Sequence, residues 1–390
     1  MTVATETVPV RLYAPHARPA WRRVVLTRES AIIGILLVVV VVALLTVRNF
    51  DSPLTVTYLL RDVAPILLIA LPMTLIIITE EIDLSVASVV GLASVMTGIL
   101  TQGGVPFALA AVLAIIVGAI AGALNGFLVT VVGLPSLAVT IGTLALFRGI
   151  AVGLLGTTAV TDFPEEWSDL AKANIPGTPI PGIMVPFIVL AIAFAVLLHF
   201  TPFGRSLYAI GLNKEAAHFS GIDVGRAKFV LFVMSGTVSG FAGVYFTLLY
   251  SNARGDNAMG MELQIIAAVL LGGVSIFGGR GALHGVIAGV LLIGTLGSAL
   301  RLAGVTSDII NVITGVLLIV SVVSASVLGW AHARRTAAVG RRRGLRAAER
   351  AVAGGTAGGV AADPARGAAR GVAADPLRAP AADPARDPHG

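Results

Sequence analysis

No cysteine occurs among the 390 residues. That excludes disulfides, thiol catalysis and Cys-ligated zinc or iron–sulfur centres. The six histidines, His16, His199, His218, His284, His332 and His389, are scattered without metal-ligand spacing. Charge is scarce as well. Only 12% of residues are charged, half of the roughly 25% found in a soluble domain. A large part of the chain must therefore face lipid rather than water. No GxxxxGK(S/T) phosphate-binding run is present, so energy for any work comes from another subunit or an ion gradient. A Lys/Arg stripe with interleaved aromatics is also missing, which leaves no footprint for nucleic acid.

What is abundant is apolar sequence: 56% of residues are hydrophobic and mean hydropathy is +0.92. The pattern predicts an all-α polytopic membrane protein, a bundle of about ten transmembrane helices with disordered polar tails. Spans are expected at Ser30–Val47, Tyr58–Thr79, Leu84–Leu100, Pro106–Val131, Pro135–Leu155, Gly182–Phe200, Phe229–Tyr250, Glu262–Phe277, Leu283–Leu302 and Ile309–Trp330. Most approach the roughly 20 residues that a bilayer core demands. The third and eighth are short, which points to broken or re-entrant segments. Pro65 and Pro72 point to a kinked or broken second span. Three regions result: a cytoplasmic amino-terminal segment 1–29, a membrane domain 30–330 and a cytoplasmic low-complexity tail 331–390. The tail repeats Ala-Asp-Pro-Ala-Arg at Ala362–Arg366 and Ala382–Arg386, a composition without a core signal.

Net charge is +6, and the cations cluster in both tails and in the central stretch 201–228. That is the signature of membrane orientation and of contact with anionic lipid headgroups. With the amino terminus inside, six spans return the chain to the cytoplasm at residue 201, where Arg205, Lys214, Arg226 and Lys228 lie. The loop 156–181 then lies outside, with Asp162, Glu165, Glu166 and Asp169 against Lys172. Gly118, Gly122 and Gly126, and likewise Gly236, Gly240 and Gly243, recur at spacings that let helices approach closely.

Few polar groups fall at membrane depth. Asp83 and Ser85 follow Glu80-Glu81, Asn125 lies in the fourth span, Arg148 in the fifth, and Glu262 opens the eighth. Such groups are costly in lipid and mark a translocation pathway or a polar partner. The structural alternatives are a solvated or capping turn for Asp83, an interhelical hydrogen bond for Asn125, and a salt bridge or snorkelling for Arg148. Gly278-Gly279-Arg280-Gly281 reads as a tight turn, since the Lys-Ser/Thr end of a phosphate cradle is missing.

In the central stretch, Lys214, Glu215, Ala216 and Ala217 form helix behind Asn213, a good N-cap, and Gly221 stops it. This short element is either a plain interfacial connector or a docking point for a cytoplasmic partner.

Three blocks carry a resemblance. Gly204-Arg205, Tyr208–Gly211, Asn213, Ala216-Ala217 and Ser220–Ile222 resemble the cytoplasmic motif of ribose-type ABC permeases. Gly260–Leu263, Ile266–Ser275 and Gly278–Gly281 are similar to that family's most recognisable stretch, and Ile82–Val86 to its early signature. Where typical members carry glycines before that signature, this chain has Glu80-Glu81. Ile82–Ala87 with Phe147–Ile150 looks closest to members handling rhamnose or autoinducer-2; ribose and xylose stay open.

The resemblance implies the membrane subunit of a bacterial monosaccharide importer in the plasma membrane, with both termini cytoplasmic. It implies a partner ATPase that holds the ATP and Mg, docked at Asn213, Lys214, Glu215, Ala216, Ala217, Ser220 and Gly221, while this chain holds no cofactor or metal and catalyses nothing. It further implies an extracytoplasmic sugar-binding protein meeting 156–181 and a second permease subunit, alike or related. Rival readings are an ion-coupled secondary transporter, a branched-chain amino-acid ABC permease, and an intramembrane enzyme. The last lacks an acid/base pair or metal cluster at one depth, and buried acids for a proton relay are few.

Overall fold

Hydropathy and helix coincide along most of the chain. The computed structural model describes residues 28–317 together with 319 and 323. The segment 1–27, the tail 331–390 and half of the tenth expected span lie outside the described residues. Thirteen helices are described: α1 (Arg28–Thr46), α2 (Pro53–Ile78), α3 (Val86–Gln102), α4 (Phe107–Thr130), α5 (Ser136–Leu155), α6 (Glu165–Lys172), α7 (Met184–Phe200), α8 (Pro202–Leu212), α9 (Lys214–Phe219), α10 (Val224–Tyr250), α11 (Met261–Leu271), α12 (Leu283–Leu302) and α13 (Ser307–Leu317). Among the described residues there is no β-strand, only the isolated bridges Val160–Ala253 and Asn174–Pro181.

Six helices, α1, α2, α4, α5, α10 and α12, are long and apolar enough to cross a membrane. A seventh span forms if α7 and α8, bent by 68° at their junction, count as one. The remaining apolar helices, α3, α11 and α13, are shorter. The count of about ten is thus approximate, while the class is as expected. The eighth span ends at Leu271 rather than Phe277, because Gly273 turns the backbone to φ +97°, a conformation open mainly to glycine. Helix runs unbroken through Pro65 and Pro72 in α2.

α2 is the core of the bundle. Leu68, Ile69, Leu71, Met73, Leu75, Ile76 and Ile78 are sealed from the surface on every side. By contrast, α1, α4, α5 and α7 present rows of bare Leu, Ile and Val, such as Leu37, Val112, Ile120, Ile141 and Val189. In a chain of this hydropathy those faces meet lipid. α4 and α10 pack backbone to backbone. A Cβ on Gly122 would stand 2.2 Å from the Phe232 carbonyl oxygen, and one on Gly236 2.2 Å from that of Gly118. Gly118, Gly122 and Gly126 of one row and Gly236 and Gly240 of the other make this interface, while Gly243 packs against Val90 and Ala93 of α3.

Two ends of the bundle are distinct. One gathers α8, α9, the carboxyl end of α2 and the amino end of α12. The other gathers the amino end of α2, the carboxyl end of α10 and the segment 156–183. There Thr57 donates to the Pro179 carbonyl at 2.6 Å, Lys172 to the Ser251 hydroxyl at 2.7 Å, and Arg61 to the Lys172 carbonyl.

Candidate functional site

At the first end, three polar caps shape residues 201–228. Thr201 accepts from the Gly204 amide at 3.1 Å and starts α8. Asn213 accepts from the Ala216 amide at 2.8 Å and starts α9, the cap its side chain predicts. Asp223 accepts from the Arg226 amide at 2.9 Å and starts α10, so Lys228 belongs to that span rather than to a loop. Gly221 sits at φ +83° between α9 and α10. The side chains of Lys214, Glu215 and Ala216, with Asn213, Ser220 and Gly221, are exposed, and Ala217 alone of the group is buried. Beside them stand Leu212 and Phe219, exposed by 68% and 88%. Two large apolar side chains are thus left bare at the two ends of a short charged helix. The sequence reasoning passed over both, although each is an apolar residue flanking a polar hinge.

This element is gripped from below. Tyr208 donates its hydroxyl to the Gly281 carbonyl at 2.8 Å. Gly279 donates its amide to the Ile78 carbonyl at 2.8 Å, and a Cβ on Gly211 would lie 1.9 Å from that same oxygen. Lys228, itself buried, forms an ion pair with Glu81. The Gly278–Gly281 turn therefore locks α8 to the end of α2.

Glu81 belongs to the turn between α2 and α3, which holds the second group of residues. Glu80 adopts φ +67°, the left-handed region, at the place where the resembling family carries glycine. Asp83 is sealed in. Its Oδ1 accepts from the Ser85 amide at 3.0 Å and the Ser85 hydroxyl at 2.6 Å. Its Oδ2 accepts from Ser235 of α10 at 3.0 Å. Asn125 of α4 donates to the Ser85 oxygen at 2.8 Å, leaving its own carbonyl oxygen without a partner. Asp83, Ser85 and Asn125 thus meet in one buried cluster with Ser235, which joins the α2–α3 turn to α4 and α10. A cluster this closed is a polar rivet. Ser235 was missed because a lone serine in an apolar span carries no signal of its own.

Arg148 and Glu262 lie elsewhere. Arg148 reaches from α5 and donates to the carbonyls of Gly255 and Asn257, each at 2.7 Å, and of Ala87 at 3.1 Å. It is a strut that ties α3 to the loop 251–260, which answers neither to snorkelling nor to a salt bridge. Glu262, half-buried in the first turn of α11, acts on that guanidinium through its charge. In the same loop, the hydrogen bond from Arg254 holds the exposed Asp256 carboxyl below the usual carboxylate range. Among the described residues, no three His, Asp or Glu side chains stand together as a metal site.

Comparison with known proteins gives a consistent result. Residues 55–322 match the family described as branched-chain amino acid transport system / permease component. The chain is 35% identical over 266 residues to the autoinducer 2 import system permease protein LsrD of Yersinia enterocolitica, covering 67% of this chain and 80% of that one. It is 34% identical over 281 residues to the protein of the same name from Photorhabdus temperata, covering 69% and 84%. To that from Escherichia coli O157:H7 it is 37% identical over 266 residues, covering 67% and 80%. No solved structure matches.

Proposed function

This chain belongs to the branched-chain amino acid transport system / permease component family, and from that premise we propose that it is the membrane subunit of an ATP-driven importer for autoinducer-2 or a similar small sugar. The observation that carries this reading is the exposed α8–α9 element with its bare Leu212 and Phe219, gripped by both the α2–α3 turn and the Gly278–Gly281 turn. A partner ATPase seated on Asn213–Gly221 would pull on α8 and, through Tyr208, Gly211 and Lys228, on both turns. The ATP and its Mg belong to that partner, and this chain performs no covalent chemistry. The positive-inside pattern supports a cytoplasmic α8–α9 end and cytoplasmic termini. The segment 156–183 then faces outward, toward a sugar-binding protein. A second permease subunit, identical or related, completes the pathway. The substrate follows from relatives that are named for autoinducer 2 import.

Two substitutions test it. Gly221→Val forces a β-branched residue to φ +83°, yet nothing lies within 4 Å of a Cβ there, so the bundle itself is unaffected. Phe219→Asp removes the apolar anchor. Each variant is expected to insert normally, to lose ATP-dependent sugar uptake by about tenfold or more, and to retain less ATPase on purification. Unchanged uptake and unchanged ATPase recovery in both would refute the docking role. Uptake of leucine in place of sugar by the intact complex would move the substrate to the amino-acid class.

A further inference from the structure

A cavity of about 250 Å³ opens between α2, α10, α11, α12 and α13, toward the end that carries the segment 156–183. We propose that this cavity is a transit site where a small, uncharged, polyhydroxylated molecule is held on its way through the bundle; the proposal rests on the importer reading above.

Asp62 of α2 and Arg301 of α12 face each other across it at 3.2 Å, and the Tyr250 hydroxyl stands 3.4 Å from the Asp62 carboxylate. Asp62 lies nine residues into α2, roughly 14 Å along the axis at 1.5 Å per residue. Its partner Arg301 is the last residue but one of α12 and Tyr250 the last of α10, so the pair stands at the mouth of the bundle on the 156–183 side, where charged groups of a membrane protein face a bundle interior or a water-filled path. Their side chains stay 36% and 54% exposed, so the pair contributes little to holding α2 against α12 and stays open to the cavity. Two amide side chains, Gln264 and Asn311, line the same space, and among the described residues neither has a hydrogen-bond partner. Gln264 is half-buried and Asn311 exposed, so both amides are open to a guest in the cavity.

The chemistry of the walls selects the guest. The carboxylate accepts from hydroxyls, the guanidinium donates to them, and the amides do both. Phe246 and Tyr250, with ring centroids 4.6 Å apart, offer aromatic area for the apolar side of a sugar ring. Asp62 and Arg301 already neutralise each other. A charged ligand would have to part them, whereas a hydroxylated one bridges them as they stand. The volume falls below the roughly 300–1,000 Å³ of sites for drug-sized ligands, which fits a single small ring.

The test uses the absence of native cysteine. Gly297 lines the cavity, and a Cβ built on it meets nothing closer than 3.8 Å, so Gly297→Cys introduces one thiol without a clash. Ser307→Cys, near-isosteric on another wall, is the second variant in case the first misfolds. Gln102→Cys, exposed at the same end outside the cavity, is the control. Each is reconstituted with its partner ATPase and binding protein, and a membrane-impermeant maleimide is applied from the 156–183 side. Ribose, rhamnose, autoinducer-2 and leucine serve as probes. The expected result is that at least one of the three polyols slows alkylation of the cavity cysteines by about fivefold or more, that leucine does not, and that alkylation there stops uptake. The Gln102→Cys thiol should react at one rate throughout. Asp62→Asn should raise half-saturation for uptake by about tenfold, the effect of weakening a hydrogen bond to a charged group. Equal alkylation with every probe, together with normal uptake after alkylation, overturns the cavity's role. Protection by leucine alone overturns the ligand class. Wild-type vesicles that show no ATP-dependent uptake would defeat the importer reading instead, and polyol protection in the alkylation arm would still decide for or against the cavity.

Discussion

The ion pair between Lys228 and Glu81 is the sharpest energetic commitment in the fold. Both side chains are largely shut away from solvent, with 6% and 15% exposure. Replacing Lys228 by Met keeps most of the packing volume but strands the Glu81 carboxylate beside α10. Breaking a buried pair from one side costs about 3–5 kcal/mol, because a buried charge is left uncompensated. Against a total stability of about 5–15 kcal/mol, that is a large fraction. Glu81→Gln strands the ammonium and should cost a similar amount. The double replacement Glu81→Met with Lys228→Met removes both charges and should recover most of the loss, since well-packed apolar substitutes for a buried pair are often neutral or better. The assay is the fraction of protein that stays monodisperse after heating in mild detergent. At about 2 °C per kcal/mol for a chain of this size, each single variant should melt roughly 6–10 °C below wild type. The double variant should melt between them and wild type. A Lys228→Met protein that melts with wild type, or a double variant worse than either single one, would refute the claim that these charges hold each other in place.

Glu80 stands at φ +67° without a glycine's freedom, so Glu80→Gly should stabilise the fold by about 1 kcal/mol in the same heating assay, and a loss of stability would show that its carboxylate has an unrecognised partner. Gly236→Val would drive a side chain against the Gly118 carbonyl and the Gly122 backbone, both closer than 3.0 Å to a Cβ. That should cost about 3 kcal/mol or more, beyond ordinary overpacking, and sharply reduce the yield of folded protein, whereas Gly142→Val on the open face of α5 should leave yield unchanged.

Much of this arrangement was readable from residues alone, and the reasons differ by feature. Apolar runs translate directly into helices because lipid leaves the backbone no other partner. Glycine rows translate into an interface because only backbone contact explains several of them at helical spacing, and Gly122 with Gly236 realises that. Caps are local chemistry, so Asn213 and Gly221 could be placed by inspection. Long-range pairing could not. Glu81 and Lys228 are separated by 147 positions, and nothing near either one names the other. Lys228 looked like one more loop cation because the helix that carries it starts five residues before the apolar run becomes obvious. The cluster of Asp83, Ser85 and Asn125 was legible as three costly polar groups, but whether they lined a path or closed on one another depended on Ser235, a residue with no signal. Asp62 and Arg301 were hidden in the same way, each at an edge of an apolar run where a charge reads as belonging to the surface.

The long-range pairs are what connect the two ends of the bundle. α10 holds Lys228 near its start, Ser235 two turns on, and Tyr250 at its finish. From Lys228 to Tyr250 is 22 residues, roughly 33 Å at 1.5 Å per residue. At the first end this helix is tied to the α2–α3 turn by the ion pair, and further along to Asp83 by the Ser235 hydroxyl at 3.0 Å. At the far end its tyrosine closes on Asp62 at 3.4 Å. α2 runs the same course, from Asp62 at the cavity to Ile78 against Gly279. α2 and α10 are therefore two rods that each reach from the exposed α8–α9 element to the cavity, riveted between by a buried hydrogen-bonded cluster. Under the importer reading proposed above, a pull on Phe219 or Lys228 would be carried along α2 and α10 to Asp62 and Tyr250. Because the Lys228–Glu81 pair and the Asp83 cluster are polar and largely sealed from water, they have discrete bonded arrangements rather than a continuum, which is what a switch between two accessible states requires.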